Sequence, residues 1–311
     1  MAEQFALVFP GQGSQSTGML SALADEYTAI KETFAEASAV LGYDLWDVVQ
    51  ANPHDKLNQT EYTQPALLTA SVALYRCVEG QIGRPAVMAG HSLGEYSALV
   101  CAGALAFKDA VQLVQLRGQA MQKAVPEGTG AMAAVIGLDD AAIEQACADA
   151  AQGDVVSAVN YNSPGQVVIA GHKDAVARAA DACKAAGAKR VLPLPVSVPS
   201  HCELMRPAAE ALQAGLNELT IKAPQVPVLH NVDVSEANVD SIAQNLVAQL
   251  YSPVRWTQTM QKIAGQGVTR VYEMGPGKVL SGLSKRIDKA LETSAVNDPQ
   301  SIQQILEEQG Q

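Results

Sequence analysis

The segment GHSLG at residues 90–94 places a serine between two glycines in the pattern G-x-S-x-G. It follows a short apolar run and precedes a helical pattern, which is the context that this motif has in enzymes with a serine nucleophile. Glycines keep Cβ atoms out of such a tight turn. The helix N-terminus supplies backbone N–H groups that can stabilise an oxyanion. The pattern predicts that Ser92 is a nucleophile, and an ordinary glycine-rich turn is the alternative.

A serine nucleophile needs a general base, and the chain has five histidines. They are His54, His91, His172, His201 and His230. His201 follows a proline-rich run, residues 192–200, which is too stiff for a helix and is typical of a loop that lines a cleft between domains. His230 ends an apolar segment, as a core histidine would. His201 is therefore the candidate base, with a non-catalytic loop histidine as the alternative.

Composition bounds the class of protein. The 311 residues are 48% hydrophobic and 17% charged, which predicts a folded chain with a large core. The net charge of −11 argues against a general binder of nucleic acid or of anionic membranes. There is no run of about 20 apolar residues and no basic, apolar N-terminal signal. Five scattered cysteines without a CxxC pair predict reduced thiols in the cytoplasm and no zinc site.

Apolar segments alternate with helical patterns, which predicts an α/β fold with a parallel sheet. Strands are expected at 5–9, 85–89, 226–230 and 268–273, and helices at 61–81, 95–103 and 299–308. Between residues 126 and 197 the predicted order is βαββαβ, the pattern of ferredoxin-like domains. We therefore expect a large α/β domain, residues 1–125 and 198–311, with a small ferredoxin-like domain, residues 126–197, inserted in it.

Four separate parts of the chain combine into one pattern: FPGQGSQ at 9–15, GHSLGEY at 90–96, Arg117, and Ser200 with His201. Together they resemble the malonyl-CoA:acyl carrier protein transacylase family, acyltransferases that load malonyl units in bacterial fatty acid synthesis. The resemblance extends from about residue 5 to about residue 290. It implies an α/β-hydrolase-like core with a ferredoxin-like small domain, in agreement with the pattern of strands and helices.

The resemblance also implies roles for residues of this sequence. Ser92 is the nucleophile and His201 the base. The backbone amides of Gln12 and Leu93 form the oxyanion hole. Gln249 supplies a backbone carbonyl that orients the histidine in place of an aspartate, and we group it with the substrate-binding residues.

Four further residues are expected at the substrate. By the resemblance, Arg117 holds the malonyl carboxylate, which a planar guanidinium can bind through two hydrogen bonds. Without the resemblance, an arginine in this mostly apolar helix is expected to extend to solvent. Met121 is a candidate for the acyl pocket, although a core position is the default for methionine. Asn160 and Asn162 are candidates for the cleft, with a turn-forming role as the alternative.

The implied reaction has malonyl-CoA as the donor and the phosphopantetheine thiol of acyl carrier protein as the acceptor. It is a ping-pong transfer through a malonyl-serine and needs no metal or redox cofactor. Nothing in the sequence demands an oligomer, and we expect a monomer that binds neither nucleic acid nor membranes. Because the acceptor of this family is acidic, docking needs a basic surface. Lys189-Arg190 and Lys285-Arg286 are candidates, with plain solvated charge as the alternative.

Two other functions compete with this hypothesis. A serine esterase or thioesterase also uses G-x-S-x-G, but normally has an acid between the serine and the histidine in chain order. Several aspartates lie there, most of them in helix starts, polar turns or helix faces, among them Asp109, Asp139, Asp140, Asp154, Asp174 and Asp181. The second competitor is a non-catalytic scaffold that binds a carrier protein, against which the intact set of Ser92, Arg117 and His201 argues.

Overall fold

A computed structural model describes residues 4–196 and 198–310, which form two β-sheets surrounded by helices. The strands are β1 Phe5–Phe9, β2 Val87–Gly90, β3 Gly130–Ile136, β4 Val156–Ser163, β5 Gln166–His172, β6 Arg190–Pro193, β7 Val228–Leu229, β8 Arg270–Met274 and β9 Glu292–Val296. The helices are α1 Ser21–Glu26, α2 Thr28–Leu41, α3 Leu45–Ala51, α4 Thr60–Val78, α5 Gly94–Cys101, α6 Phe107–Ala124, α7 Asp140–Ala151, α8 Lys173–Ala185, α9 Arg206–Asn217, α10 Val239–Gln249, α11 Trp256–Gly265, α12 Val279–Ile287 and α13 Pro299–Gln309. The predicted α/β fold with a parallel sheet is confirmed.

The larger sheet is parallel, with strand order β7-β2-β1-β8-β9. Its central strand β1 is buried along its whole length, as expected for a parallel strand covered by helices on both faces. Leu7 and Phe9 face the large apolar cluster that contains α4, whereas Ala6 and Val8 face a second cluster around Trp256. The sheet therefore lies between two helical layers, and β1 and β2 end beside each other at its carboxyl edge.

The smaller sheet is antiparallel, with strand order β4-β5-β3-β6. Alternating residues of its strands pack against α7 and α8 on one face, among them Val167 and Ile169. The opposite face presents Val168 and Ala170, which pack with Cys202 from beyond the sheet. The smaller sheet thus turns the face opposite α7 and α8 toward the chain that follows it.

Hydrogen bonds join strand β4 of the smaller sheet to the chain at the start of α11. The amide of Tyr161 on β4 donates to the carbonyl of Val254 (3.0 Å), and the amide of Val254 donates to the carbonyl of Val159 (2.8 Å). The hydroxyl of Thr257 also donates to the carbonyl of Tyr161 (2.9 Å). These bonds fix β4, and with it Asn160, to the segment around Val254, which packs in the apolar cluster of Trp256 beneath the larger sheet.

Some predicted boundaries differ from the structure. Strand β4 continues to Ser163, so the turn predicted at 162–165 is reduced to Pro164 and Gly165. Strand β9, Glu292–Val296, was not predicted because an edge strand with one fully buried residue lacks an apolar run. Among the described residues, no helix is both long and apolar enough to cross a membrane.

We expect two helical glycines to respond in opposite ways to substitution by alanine. A Cβ at Gly118 in α6 would lie 2.8 Å from backbone atoms of Thr60 and Glu61, whereas a Cβ at Gly282 in α12 would meet no atom within 4 Å. Gly118→Ala should reduce the free energy of unfolding by about 1–3 kcal/mol because α6 must move away from α4. Gly282→Ala should raise it by up to about 1 kcal/mol through helix propensity. Urea unfolding measures both, and equal effects would contradict the close packing of α6 on α4.

Candidate active site

The turn between β2 and α5 holds the predicted nucleophile. Ser92 has a φ of 51°, a left-handed conformation that few residues other than glycine adopt. A Cβ on Gly90 would lie 1.9 Å from the backbone of Gly94, and a Cβ on Gly94 would lie 2.0 Å from the carbonyl oxygen of Phe9. Only glycine fits at these two positions, so the G-x-S-x-G pattern is a steric requirement of this turn.

The structure brings His201 to this turn although 109 positions separate it from Ser92. The serine Oγ lies 2.8 Å from Nε2 of the imidazole, and Nδ1 lies 2.7 Å from the carbonyl oxygen of Gln249. A carbonyl oxygen only accepts, so Nδ1 carries the proton and Nε2 accepts from the serine hydroxyl. The main-chain amide of His201 also donates to the carbonyl of Leu250 (3.0 Å). The imidazole is therefore fixed by the backbone around residue 250, without an aspartate.

The charge state of His201 follows from its surroundings. Burial, assisted by the nearby positive charge of Arg117, lowers the pKa of the imidazole to about 3, although the hydrogen bond to Gln249 acts in the opposite direction. The ring is thus neutral at neutral pH and has a free electron pair on Nε2. It is in the protonation state that a general base requires.

Arg117 lies next to the serine and is only 1% exposed. Its guanidinium donates to Oε1 of Gln64 (2.9 Å), to Oε1 of Gln249 (3.0 Å) and to Oγ of Ser92 (3.3 Å). Among residues 4–196 and 198–310, no carboxylate lies within 4.0 Å of it. An arginine buried without an acidic partner is costly, which makes the site suited to a ligand that carries its own carboxylate.

A cavity of about 110 Å³ connects these groups. The predicted site residues that line it are Gln12, Ser92, Leu93, Arg117, Met121, Asn160 and His201. A second cavity of about 220 Å³ shares Gln12, His91 and Asn160 with the first and extends between the smaller sheet and α12. The two cavities therefore adjoin each other, and the smaller one reaches the serine.

Two backbone amides are available at the serine. Within the described chain, the amides of Gln12 and Leu93 have no acceptor from the protein, whereas the amide of Ser92 donates to Oδ1 of Asn231 (2.8 Å). The loop of Gln12 packs directly on the turn, because a Cβ at Gly11 would lie 2.4 Å from the carbonyl oxygen of His91. Both amides can therefore donate to an oxyanion that forms at the serine.

The other predicted residues differ in position. Met121 lines the smaller cavity, and its sulfur accepts from Nε2 of Gln64 (3.5 Å). Asn160 lines both cavities, and its buried Oδ1 has no hydrogen-bond partner among the described residues. Asn162 lines only the larger cavity, where its Oδ1 accepts from Nε2 of His91 (2.7 Å).

Gln249, grouped above with the substrate-binding residues, lines neither cavity. It is fully buried, and both its main-chain carbonyl and its side-chain amide are occupied by protein partners. Its position is behind the site, where it contacts both Arg117 and His201.

Three polar residues around the site were not predicted: Gln64, Glu95 and Asn231. Each is fully buried or nearly so and is fixed by hydrogen bonds to site residues. Glu95 had the stronger sequence signal, since a charged residue directly after the GHSLG motif lies in the first turn of the helix. Gln64 and Asn231 are neutral residues beside apolar segments, and nothing in their spacing points to the serine.

No other histidine side chain among the described residues has a hydrogen bond to Ser92. His230 is the core histidine that the sequence suggested, with Nδ1 donating to Glu95 (2.7 Å) and Nε2 next to the hydroxyl of Ser241 (3.1 Å). His54 is exposed, and His172 accepts from the amide of Val155 (2.9 Å) at the end of β5.

We expect the reactivity of Ser92 to persist in acid. A neutral imidazole is present above its pKa and is lost as the pH falls through it, so a pKa of about 3 keeps the base active far below neutral pH. The rate of Ser92 modification by a serine-directed sulfonyl fluoride should stay nearly constant from neutral pH to about pH 5. Ser92→Ala serves as the unreactive control. An acid limb with a midpoint near the ordinary histidine pKa of about 6.5 would contradict the buried, neutral base.

Comparison with known proteins agrees with this geometry. The family model described as "Acyl transferase domain" matches residues 6–300. The malonyl CoA-acyl carrier protein transacylase of Escherichia coli (strain K12) is 64% identical over 306 residues, which cover 98% of this chain and 99% of that protein. The protein of the same name from Bacillus subtilis (strain 168) is 46% identical over 307 residues, covering 98% of this chain and 96% of the relative.

Solved structures are similar over the same length. A malonyl CoA-acyl carrier protein transacylase from Coxiella burnetii is 50% identical with a TM-score of 0.97, and the match covers 100% of this chain and 99% of that one. A malonyl-transacylase solved in complex with a type II polyketide synthase acyl-carrier protein is 59% identical with a TM-score of 0.96, covering 98% and 99% of the two chains. With nearly its whole length matched by the family model, the chain belongs to the acyl transferase domain family.

Proposed function

We propose that this chain transfers the malonyl group of malonyl-CoA to the phosphopantetheine thiol of acyl carrier protein, through a malonyl ester of Ser92. One observation carries the proposal: a serine with a neutral histidine base lies 3.3 Å from a buried guanidinium that has no acid partner among the described residues. The names of the full-length relatives support the same substrates.

In the first half of the reaction, Oγ of Ser92 attacks the thioester carbonyl while Nε2 of His201 takes its proton. The amides of Gln12 and Leu93 donate to the tetrahedral oxyanion. The carbon–sulfur bond then breaks, and the imidazolium returns its proton to the sulfur of coenzyme A. The second half is the reverse reaction. The carrier thiol gives its proton to His201 and attacks the ester, and Oγ of Ser92 leaves and takes the proton back. This sequence needs no metal or redox cofactor.

Selectivity for an acid-bearing acyl group follows from Arg117. A hydrogen bond to a charged group contributes about 1.5–3 kcal/mol, and a guanidinium–carboxylate pair can form two. A neutral acyl group such as acetyl would leave the buried guanidinium without a carboxylate. The site therefore favours malonyl over acetyl through attraction and through the cost of an unpaired charge.

The esterase and thioesterase hypothesis is less well supported. Such enzymes orient the histidine with an aspartate or glutamate, whereas Nδ1 of His201 donates to the main-chain carbonyl of Gln249. Within the described chain, no aspartate between Ser92 and His201 has a hydrogen bond to either residue.

We also propose that residues 126–197 form a ferredoxin-like domain inserted into an α/β-hydrolase-like core of residues 1–125 and 198–311. The strand order β4-β5-β3-β6, with α7 and α8 on one face, supports the first assignment. A serine turn after β2, a strand inside a parallel sheet, supports the second. The cavity at the serine is lined from both parts.

We infer that the acidic carrier docks where the larger cavity opens. Arg286 donates to Oε1 of Gln166 (2.8 Å), which lines that cavity. The sheet register aligns Gln166 with Ile136 and Ile136 with Arg190, so these side chains share a face. The exposed Lys189 adjoins Arg190. This basic surface on a chain of net charge −11 suits an acidic partner.

We place the reaction in the cytoplasm and expect a monomer to carry it out. The five cysteines are free thiols, as a reducing compartment would keep them. All the groups that the proposed reaction uses come from one chain, so a second copy has no part in it.

Mixing the protein with malonyl-CoA should produce a long-lived malonyl-enzyme, because hydrolysis of the ester would be a wasteful side reaction for a transferase. Intact mass spectrometry is expected to show one added malonyl group, located on Ser92 by peptide mapping. Ser92→Ala should show none. Rapid release of free malonate without carrier protein would favour a hydrolase, and a chain that binds carrier protein but is never acylated would favour the scaffold.

Arg117→Ala should lower the rate of malonyl transfer and relax the preference for malonyl-CoA over acetyl-CoA by about tenfold or more, since a charge-assisted hydrogen bond is lost. The ratio of kcat/KM values for the two thioesters measures this preference. Arg76→Ala is a matched control, because Arg76 is a helical arginine that pairs with Glu36 (2.8 Å) away from the cavity. An unchanged ratio in Arg117→Ala would rule out this role.

A further inference from the structure

Glu95 is a buried carboxylate that the proposed reaction does not use. It lies in the first turn of α5, is 0% exposed and lines neither cavity at the serine. Its two oxygens accept three hydrogen bonds: from Nδ1 of His230 (2.7 Å), from the amide of Asn231 (3.1 Å) and from Nε2 of Gln249 (2.7 Å). A carboxylate held this tightly fixes the orientation of the groups that donate to it.

Gln249 is the partner through which Glu95 reaches the site. Its main-chain carbonyl accepts from His201, and its side-chain Oε1 accepts from Arg117. Its Nε2 donates to Glu95 at 2.7 Å and has two longer contacts, to the carbonyl of Ser92 (3.1 Å) and to Oδ1 of Asn231 (3.2 Å). One residue thus contacts both the base and the guanidinium.

The orientation of the Gln249 amide matters because its oxygen and nitrogen have nearly the same size but opposite hydrogen-bonding character. A guanidinium only donates, so it must meet Oε1. A carboxylate only accepts, so it must meet Nε2. With Glu95 on one side, the amide has a single orientation that also satisfies Arg117. In the reversed orientation, N–H groups would face the guanidinium, and Arg117 would keep only Gln64 as an amide anchor.

We propose that Glu95 is a positioning residue for substrate selectivity, which holds the Gln249 amide so that its oxygen anchors Arg117 beside Ser92. This inference rests on the proposed function, in which Arg117 binds the acid of the acyl group. Glu95 itself touches neither the substrate nor the reacting atoms. Its effect should be seen in the preference between acyl groups more than in the binding of coenzyme A, which both donors share.

The test measures kcat/KM for enzyme acylation by malonyl-CoA and by acetyl-CoA, and compares their ratio between variants. Glu95→Leu removes the acceptor and should lower the malonyl-to-acetyl ratio about tenfold. Glu95→Gln should keep the ratio within about twofold. In that variant the new amide oxygen still accepts from Gln249, and the new amide N–H donates to Nδ1 of His230 after the ring shifts its proton to Nε2 beside Ser241.

Glu273→Leu is the matched control. Glu273 is also 0% exposed and accepts from the amides of Leu280 (3.0 Å) and Ser281 (2.8 Å) at the start of α12. Its loss should reduce stability as much as the loss of Glu95. Because Glu273 has no contact with Gln249 or Arg117, the ratio should remain that of the native chain.

A double-mutant cycle tests whether Glu95 acts through Gln249. Gln249→Met retains the main-chain carbonyl for His201 but removes the oxygen that anchors Arg117, so it should lower the ratio about as much as Glu95→Leu. The double variant should be no worse than either single variant. Additive losses, or an unchanged ratio in folded Glu95→Leu, would overturn the proposal.

If Glu95→Leu fails to fold, Gln249→Met decides, because an unchanged ratio there would also overturn the proposal. Failure of the proposed function gives a different result: the native chain itself would show no preference for malonyl-CoA. If the native chain prefers malonyl-CoA but the variants leave the malonyl-to-acetyl ratio unchanged, only the proposed role of Glu95 is overturned.

Discussion

A positive charge kept out of water beside a nucleophile is the constraint on which the rest of the structure depends. Arg117 on α6 is fixed by Gln64 from α4 and by Gln249 at the end of α10, with the ring of Tyr96 from α5 at 5.4 Å. The helices that cover one face of the parallel sheet therefore converge on one guanidinium. The amides of Gln64 and Gln249 accept from its two terminal nitrogens without cancelling its charge, and its buried Nε has no partner among the described residues.

The chemistry at Ser92 depends on backbone geometry as much as on side chains. Three backbone features shape this site. Ser92 has a left-handed conformation, Gly90 and Gly94 have no Cβ atoms, and a main-chain carbonyl orients His201. Carbonyl oxygens do not titrate, so the orientation of the imidazole is independent of pH. The Arg117 guanidinium, which we propose binds the acid of the acyl group, also lowers the pKa of His201 and so helps to keep the base neutral.

Short sequence patterns predicted the structural features that depend on interactions between residues close together in the chain. The turn at Ser92 follows from glycine spacing, and the alternation of strands and helices follows from hydrophobic periodicity. Burial of Arg117 could not be predicted in this way, since its helix alone favours a solvent-exposed guanidinium. Glu95 and Asn231 were missed because their roles arise from contacts across more than 130 positions. Such long-range polar pairs leave no periodic signal in the sequence.

The most direct test of the central claim is a crystal structure of the malonyl ester of Ser92, trapped in the absence of carrier protein. We predict that both oxygens of the free carboxylate lie within about 3 Å of the Arg117 guanidinium, with the ester carbonyl oxygen directed at the amides of Gln12 and Leu93. A carboxylate that points to solvent, with the guanidinium still bonded only to Gln64 and Gln249, would contradict it.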